Sequence, residues 1–322
     1  MIEINEKTLK SYRFIDLFAG LGGFRLALES YGAECVYSSE WDKAAQDVYE
    51  KNFGDRPDGD ITKVDESTIP QHDIICAGFP CQAFSISGKQ RGFEDSRGTL
   101  FFDVARIAKK HKPKILFLEN VKNFASHDNG NTLRVVKTTL EELGYDVYYK
   151  VLNSVNYGIP QKRERIYIVC FRKDLDIKNF KFPTPFPLVR HVEDFLEENS
   201  GVEPYDEKKY PIIFNGITDD KHSNKMIRLG TINKGGQGER IYSTKGIAAT
   251  LSAYGGGVFA KTGGYWIDGK ARRLSPRECA NLMGYPKTYV MAKNKNESYK
   301  QFGNSVVIDV LQYIVKEICK VL

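Results

Sequence analysis

With 322 residues, 41% of them hydrophobic, the chain can bury one large core or two modest ones, and no apolar run approaches the roughly 18 to 20 residues that span a bilayer. Six scattered cysteines with no CxxC, no metal-ligand spacing and no secretory signal argue against a disulfide framework and a zinc site, so reduced thiols in a cytoplasm are expected. A net charge of +6 is too mild to prove nucleic-acid binding, yet residues 191–220 carry nine acids against two lysines while residues 221–275 carry ten Lys/Arg against two acids.

The apolar residues 14–18 predict a first strand. The turn Phe18-Ala19-Gly20-Leu21-Gly22-Gly23-Phe24 follows, then a helix over 24–30 and a second strand over 35–37, which is βαβ grammar. Glycines there permit close backbone approach to a ligand, and Glu40, at the end of the second strand, suits ribose hydroxyls. NAD, FAD and S-adenosylmethionine all fit, as does a structural turn with no ligand. Arg25 stands where a third glycine would complete the pyrophosphate-binding fingerprint. Trp41 is placed to cover an adenine face or to fill the core.

Helices are predicted near 42–52, 99–111 and 130–143, and strands over 74–77, 115–118, 145–152 and 165–171, giving a doubly wound, mainly parallel α/β sheet. Gly78 and Pro80 end the third strand, so Cys81 falls just past its carboxyl end, where open α/β sheets bind ligands. Residues 82–98, with Ser85, Ser87, Lys89 and Arg97, read as a loop that closes over a substrate or as a static surface loop. Glu119-Asn120-Val121 ends the next strand on the same sheet edge. A carboxyl there, partly buried, donates a proton or hydrogen bond near neutral pH; a surface ion pair is the alternative. In Gln161-Lys162-Arg163-Glu164-Arg165, strand alternation turns Arg163 and Arg165 to one face, which suits a carboxylate, a base carbonyl or a phosphate, or else forms a solvated charge run.

Three prolines among residues 183–187 mark a linker. The domains are expected to be 1–190 with 304–322, a smaller Gly-rich domain over 191–275, and a hinge over 276–303. Ten glycines in residues 230–264 favour tight turns, with Ile227, Leu229, Ile232, Ile241, Ile247, Leu251, Val258 and Phe259 to fill a small core. Ser275-Pro276-Arg277-Glu278 is a capping box that starts a helix, and an apolar stripe from Val306 to Ile318 predicts another that packs on the first domain.

These blocks, with Arg273-Leu274-x-Pro276-Arg277-Glu278 and Gln301-Phe302-Gly303-Asn304-Ser305, stand in the order of the DNA cytosine-5 methyltransferases, which the chain resembles over about residues 14–307. The resemblance implies a sheet of the S-adenosylmethionine-dependent methyltransferase type, a target-recognition domain, and a thiolate of Cys81 that adds to C6 of a flipped cytosine. It implies that Glu119 contacts N3 and the exocyclic amine and that Arg165 contacts O2 and helps hold Glu119, while Arg163 supports them. S-adenosylmethionine, leaving as S-adenosylhomocysteine, is expected against Phe18, Gly20, Gly22, Gly23, Glu40, Trp41, Asp60, Leu100 and Asn304. Double-stranded DNA is expected against Ser85, Ser87, Lys89, Arg97, Gln237, Arg240 and Thr250. The expected target is GCGC, methylated at its first cytosine by a monomer paired functionally with a restriction endonuclease of the same specificity. Residues 188–225 and the C-terminal end depart from the pattern. A tRNA methyltransferase of the same superfamily and a DNA-binding regulator with an inactive fold are the alternatives; the chain lacks the Cys-Phe-Thr signature of the former and retains Cys81, Glu119 and Arg165 against the latter.

Overall fold

The computed structural model describes residues 8–80, 100–208, 211–218 and 220–322. The chain divides into two compact units. One runs up to Leu152 and adds Glu164–Pro183 and Gln312–Leu322; the other comprises Asn153–Arg163 and Thr184–Leu311.

In the first unit the elements alternate: β1 (Arg13–Leu17), α1 (Gly23–Ser30), β2 (Glu34–Ser39), α2 (Lys43–Phe53), β3 (Ile74–Gly78), α3 (Phe101–His111), β4 (Ile115–Val121), α4 (Asn131–Glu142), β5 (Tyr145–Asn153) and β6 (Glu164–Arg172). They build a six-stranded sheet in the order β2-β1-β3-β4-β6-β5. β1 pairs in parallel with β2 and β3, and β3 with β4, whereas β6 runs antiparallel to β4. This is the mainly parallel sheet expected from the alternating pattern. Ile15, Leu17, Ile75, Ala77, Leu116 and Leu118 turn one face into a core that α3 covers with Phe101, Val104 and Ile107. Crossover connections force both faces of such a sheet to be buried, which is why its strands are nearly continuous apolar runs.

Gln312–Leu322 are part of this unit. The Gln312 carbonyl accepts from the Tyr31 hydroxyl at 3.1 Å, and its side-chain amide donates to the Ser30 hydroxyl at 3.0 Å, tying these residues to the end of α1.

The second unit holds β7 (Ile213–Phe214), β8 (Arg228–Thr231), β9 (Arg240–Ser243), β10 (Gly264–Ile267) and β11 (Lys270–Arg273), followed by α5 (Pro276–Asn281) and α6 (Lys295–Asn304). α7 (Ile308–Cys319) begins there. Its five-stranded sheet has the order β11-β10-β9-β8-β7. Ile232, Ile241, Phe259 and Ala271 form its small core, flanked by Tyr205, Ile212 and Trp266. Val258 is exposed rather than buried as expected. The inward position goes to Phe259, whose N–H donates to the Gly238 carbonyl at 2.8 Å. Gly238 and Gly257 lie backbone to backbone, so close that a Cβ on either would overlap the other segment. That contact is the physical reason for glycine at these two turns.

The capping box at α5 forms as its sequence indicates, with Ser275 and Glu278 exchanging side-chain and backbone hydrogen bonds. Arg272 then pairs with Glu278 at 2.7 Å, both buried. α6 was not anticipated. Its start is Asn294, whose side chain accepts from the N–H groups of Asn296 and Glu297, a cap hidden inside a polar stretch with little apolar periodicity.

Candidate active site

Two groups of expected residues meet at the carboxyl edge of the large sheet. The first surrounds the end of β1. Phe18 takes a left-handed backbone conformation at φ 55°, which turns the chain sharply out of the strand. The Ala19 N–H then donates to the Ser39 carbonyl at 2.9 Å and the Gly20 N–H to Glu40 Oε2 at 2.8 Å. Glu40 Oε1 accepts from the Asp42 N–H at 2.8 Å. Both carboxylate oxygens are thereby aimed, and each keeps lone-pair capacity for a further donor. Glu40 is only 8% exposed, and burial raises its pKa despite the backbone N–H groups of Asp42, Gly20 and Trp41, which oppose the shift.

Glycine at 22 has a different cause from the ligand approach expected of the turn. Its φ is 71°, and a Cβ there would overlap the Phe53 ring and touch Tyr49. Arg25, where a third glycine would stand, is buried over the Phe53 ring and paired with Asp55 at 2.7 Å. This end of the turn is built for packing on α2, with an arginine where a diphosphate would need open backbone.

Trp41 is not a core aromatic: it is 80% exposed beside the buried Glu40. A flat exposed indole next to an oriented carboxylate fits a nucleoside, with the ring for stacking and the acid for vicinal hydroxyls. Asp60 caps a short turn, accepting from the N–H and hydroxyl of Thr62, and those bonds lower its pKa, keeping it an anionic acceptor. Leu100 stands at the start of α3, half-buried.

The second group joins β3, β4 and β6. Gly78 is in register with Glu119, and Glu119 with Tyr167, two residues beyond Arg165 on the antiparallel strand. Arg165 Nε lies 3.1 Å from Glu119 Oε1, with both side chains largely buried. Asn120, to which sequence reasoning gave no role, donates from its side-chain amide to the Phe79 carbonyl at 2.8 Å, while its side-chain oxygen accepts from the Val121 N–H. Phe79 is itself wedged against Phe101 and Phe124. The main chain is thus fixed immediately before Pro80 and Cys81. A polar residue following an acid at a strand end was the available signal.

Residues 12–320 match the family of C-5 cytosine-specific DNA methylases. The chain belongs to that family. It is an enzyme of the DNA (cytosine-5) methyltransferase class. It is 66% identical over 318 residues to the type II methyltransferase M.HhaI of Haemophilus parahaemolyticus, covering 99% of this chain and 97% of that protein. The type II methyltransferase M.SsoII of Shigella sonnei is 43% identical, over 97% of this chain and 81% of the relative. A DNMT2 mutant from Spodoptera frugiperda superposes with a TM-score of 0.70 at 20% identity, covering 95% of this chain and 99% of that one, a likeness of fold.

For a C-5 cytosine methylase, the remaining expected residues fall as follows. Cys81, Ser85, Ser87, Lys89 and Arg97 lie outside the described residues. Arg163, Gln237, Arg240, Thr250 and Asn304 belong to the second unit. Gln237 and Asn304 are exposed; Arg240 is half-buried and donates to the Gly235 carbonyl. The Thr250 hydroxyl donates to the Lys162 carbonyl. Arg163, expected beside Arg165, is buried at 2% exposure with its guanidinium on backbone carbonyls of its own unit. Among the described residues no cluster of His, Cys, Asp and Glu is suited to a metal ion, and no helix is long and apolar enough to cross a membrane.

Proposed function

We propose that this chain transfers a methyl group from S-adenosylmethionine to C5 of a cytosine extruded from duplex DNA, at the first cytosine of GCGC, and so protects DNA from a restriction endonuclease of the same specificity. The observation that carries the reading is the Glu119–Arg165 pair at 3.1 Å, set beside a main chain clamped just before Cys81. The 66% identity to M.HhaI supports the choice of target.

Cytosine C5 is a weak nucleophile. Addition of the Cys81 thiolate to C6 makes the ring an enamine, with Glu119 donating to N3 and Arg165 holding O2 and Glu119 together. The cofactor supplies an electrophilic sulfonium methyl group. Attack of C5 on that methyl would break its bond to sulfur and release S-adenosylhomocysteine, and loss of the C5 proton to a base would then re-form the double bond and expel the thiolate. A base stacked in a duplex is out of reach of such a pocket, so extrusion is required. Trp41 and Phe18 would stack on the adenine, Glu40 would take the ribose hydroxyls, Asp60 would accept from the adenine amine, and Leu100 and Asn304 would complete the contacts. Gln237 and Arg240 read base edges, Arg240 favouring guanine O6 and N7. Thr250 contacts the DNA backbone.

Unmethylated plasmid incubated with S-adenosylmethionine should acquire 5-methylcytosine at GCGC by bisulfite sequencing, and Cys81→Ser should acquire none. Methylation at another motif would overturn the target; transfer to tRNA with none to duplex DNA, or normal transfer by Cys81→Ser, would overturn the reaction.

A further inference from the structure

The second unit holds a junction that the reaction as described does not use. Arg163 Nη1 donates to the Leu251 carbonyl at 3.0 Å, and Nη2 donates to the Gly303 carbonyl at 3.0 Å and to the Ser305 carbonyl. One planar fork therefore grips two segments far apart in sequence. Gly303 draws the same segments together: a Cβ there would overlap the backbone of Ser252 and Ala253. Gln161, fully buried, accepts from the Leu251 N–H at 3.2 Å and donates to the Leu282 carbonyl at 3.0 Å. The Lys162 N–H donates to the Ala248 carbonyl at 2.9 Å, and the Lys162 carbonyl accepts from the Thr250 hydroxyl. Residues 161–163 thus lie along residues 248–251, and Arg163 carries the connection on to residues 303–305.

Those two segments carry Thr250 and Asn304. We propose that Arg163 is a positioning residue, making no contact with the cytosine, that locks the Thr250 segment and the Asn304 turn into one rigid piece so that DNA engagement and cofactor binding reinforce each other. The proposal rests on the roles given above to Thr250 and Asn304. Arg165 differs in kind: its Nε faces the Glu119 carboxylate, whereas Arg163 turns both terminal nitrogens onto buried carbonyls. Because the two segments move as one piece, the first ligand to bind fixes both and the second meets a segment already ordered, which is positive coupling.

Two variants of the full chain attack the junction from opposite sides. Arg163→Lys replaces the fork by a single ammonium, which cannot serve three divergent carbonyls. Gly303→Ala forces residues 252–253 away. Steady-state rates on a GCGC duplex should show KM for S-adenosylmethionine rising about tenfold or more in each, with kcat at saturation within about threefold of wild type. Calorimetry with S-adenosylhomocysteine should show DNA tightening cofactor binding in wild type and losing most of that effect in either variant. The deciding comparison is the KM increase against the kcat decrease in Arg163→Lys: a larger KM effect supports the positioning role, and an equal or larger kcat effect overturns it and puts Arg163 at the reacting base. A wild type that transfers no methyl group fails in the control arm, before any variant is compared, and overturns the reaction itself.

Discussion

At the scale of single residues, His72 carries the clearest pH dependence. It is 6% exposed, its Nδ1 is 2.7 Å from the Pro70 carbonyl oxygen, and its ring lies against that of His111, with Asp73 and Arg13 as the charged groups nearby. Burial, reinforced by His111 and Arg13 and opposed by the Pro70 carbonyl and Asp73, lowers its pKa from 6.5 to about 4. A folded-state pKa below the unfolded one means that stability is fully present above about pH 6.5 and is lost as pH falls toward 4, where the unfolded chain binds the extra proton. Urea unfolding should therefore show the wild type losing on the order of 3 kcal/mol more between pH 7 and pH 4 than His72→Gln does; equal losses would remove His72 as the cause. Glycine 22 belongs to the same scale. From sequence it reads as room for a ligand, but the space is taken by Phe53, a contact that no local pattern encodes.

At the scale of elements, Asn120 connects the end of β4 to the end of β3. The hydrogen bond from its side-chain amide to the Phe79 carbonyl is buried, so Asn120→Ala should cost about 1–3 kcal/mol by leaving that carbonyl unpaired. It should also lower kcat, and so should Asn120→Asp, which keeps the acceptor for the Val121 N–H but sets a carboxylate oxygen against the Phe79 carbonyl; equal unfolding midpoints and equal rates for wild type and Asn120→Ala would refute the clamp. The strands themselves were legible because burial on both faces writes them as apolar runs: residues 74–77 and 115–118 are embedded in the observed Ile74–Gly78 and Ile115–Val121. The Glu119–Arg165 pair was legible in part, since strand-end position and alternation identify both residues, while their contact depends on the register of β4 with β6. Arg163 shows where alternation fails. It precedes β6, beginning at Glu164, so the rule that would turn it to the same face as Arg165 does not reach it. α6 escaped because its helix is specified by the Asn294 cap and by packing of Tyr299 and Phe302, with too few apolar positions to reveal a period.

At the scale of the whole molecule, charge and topology act together. The acidic residues 191–220 and the basic residues 221–275 give adjacent stretches of opposite sign, and a polyanion would favour the second. Topology sets a stronger constraint, because Gln312–Leu322 complete the unit whose first strand starts at Arg13. Ile314, Val315 and Ile318 are all buried there. Ile314→Ala should cost about 2–5 kcal/mol in urea unfolding, as expected for a large-to-small change in a packed interior; a loss below about 1 kcal/mol would mean that this segment merely rests on the surface. The division of the chain also has a temporal side. Residues 184–311, all of the other unit's longer piece, must be synthesised between Pro183 and Gln312. At ribosomal speeds that is on the order of ten seconds during which the six-stranded sheet exists without its closing segment. A newborn chain that folds its sheet early would spend that interval with apolar surface uncovered beside α1, where transient exposure of this kind favours aggregation.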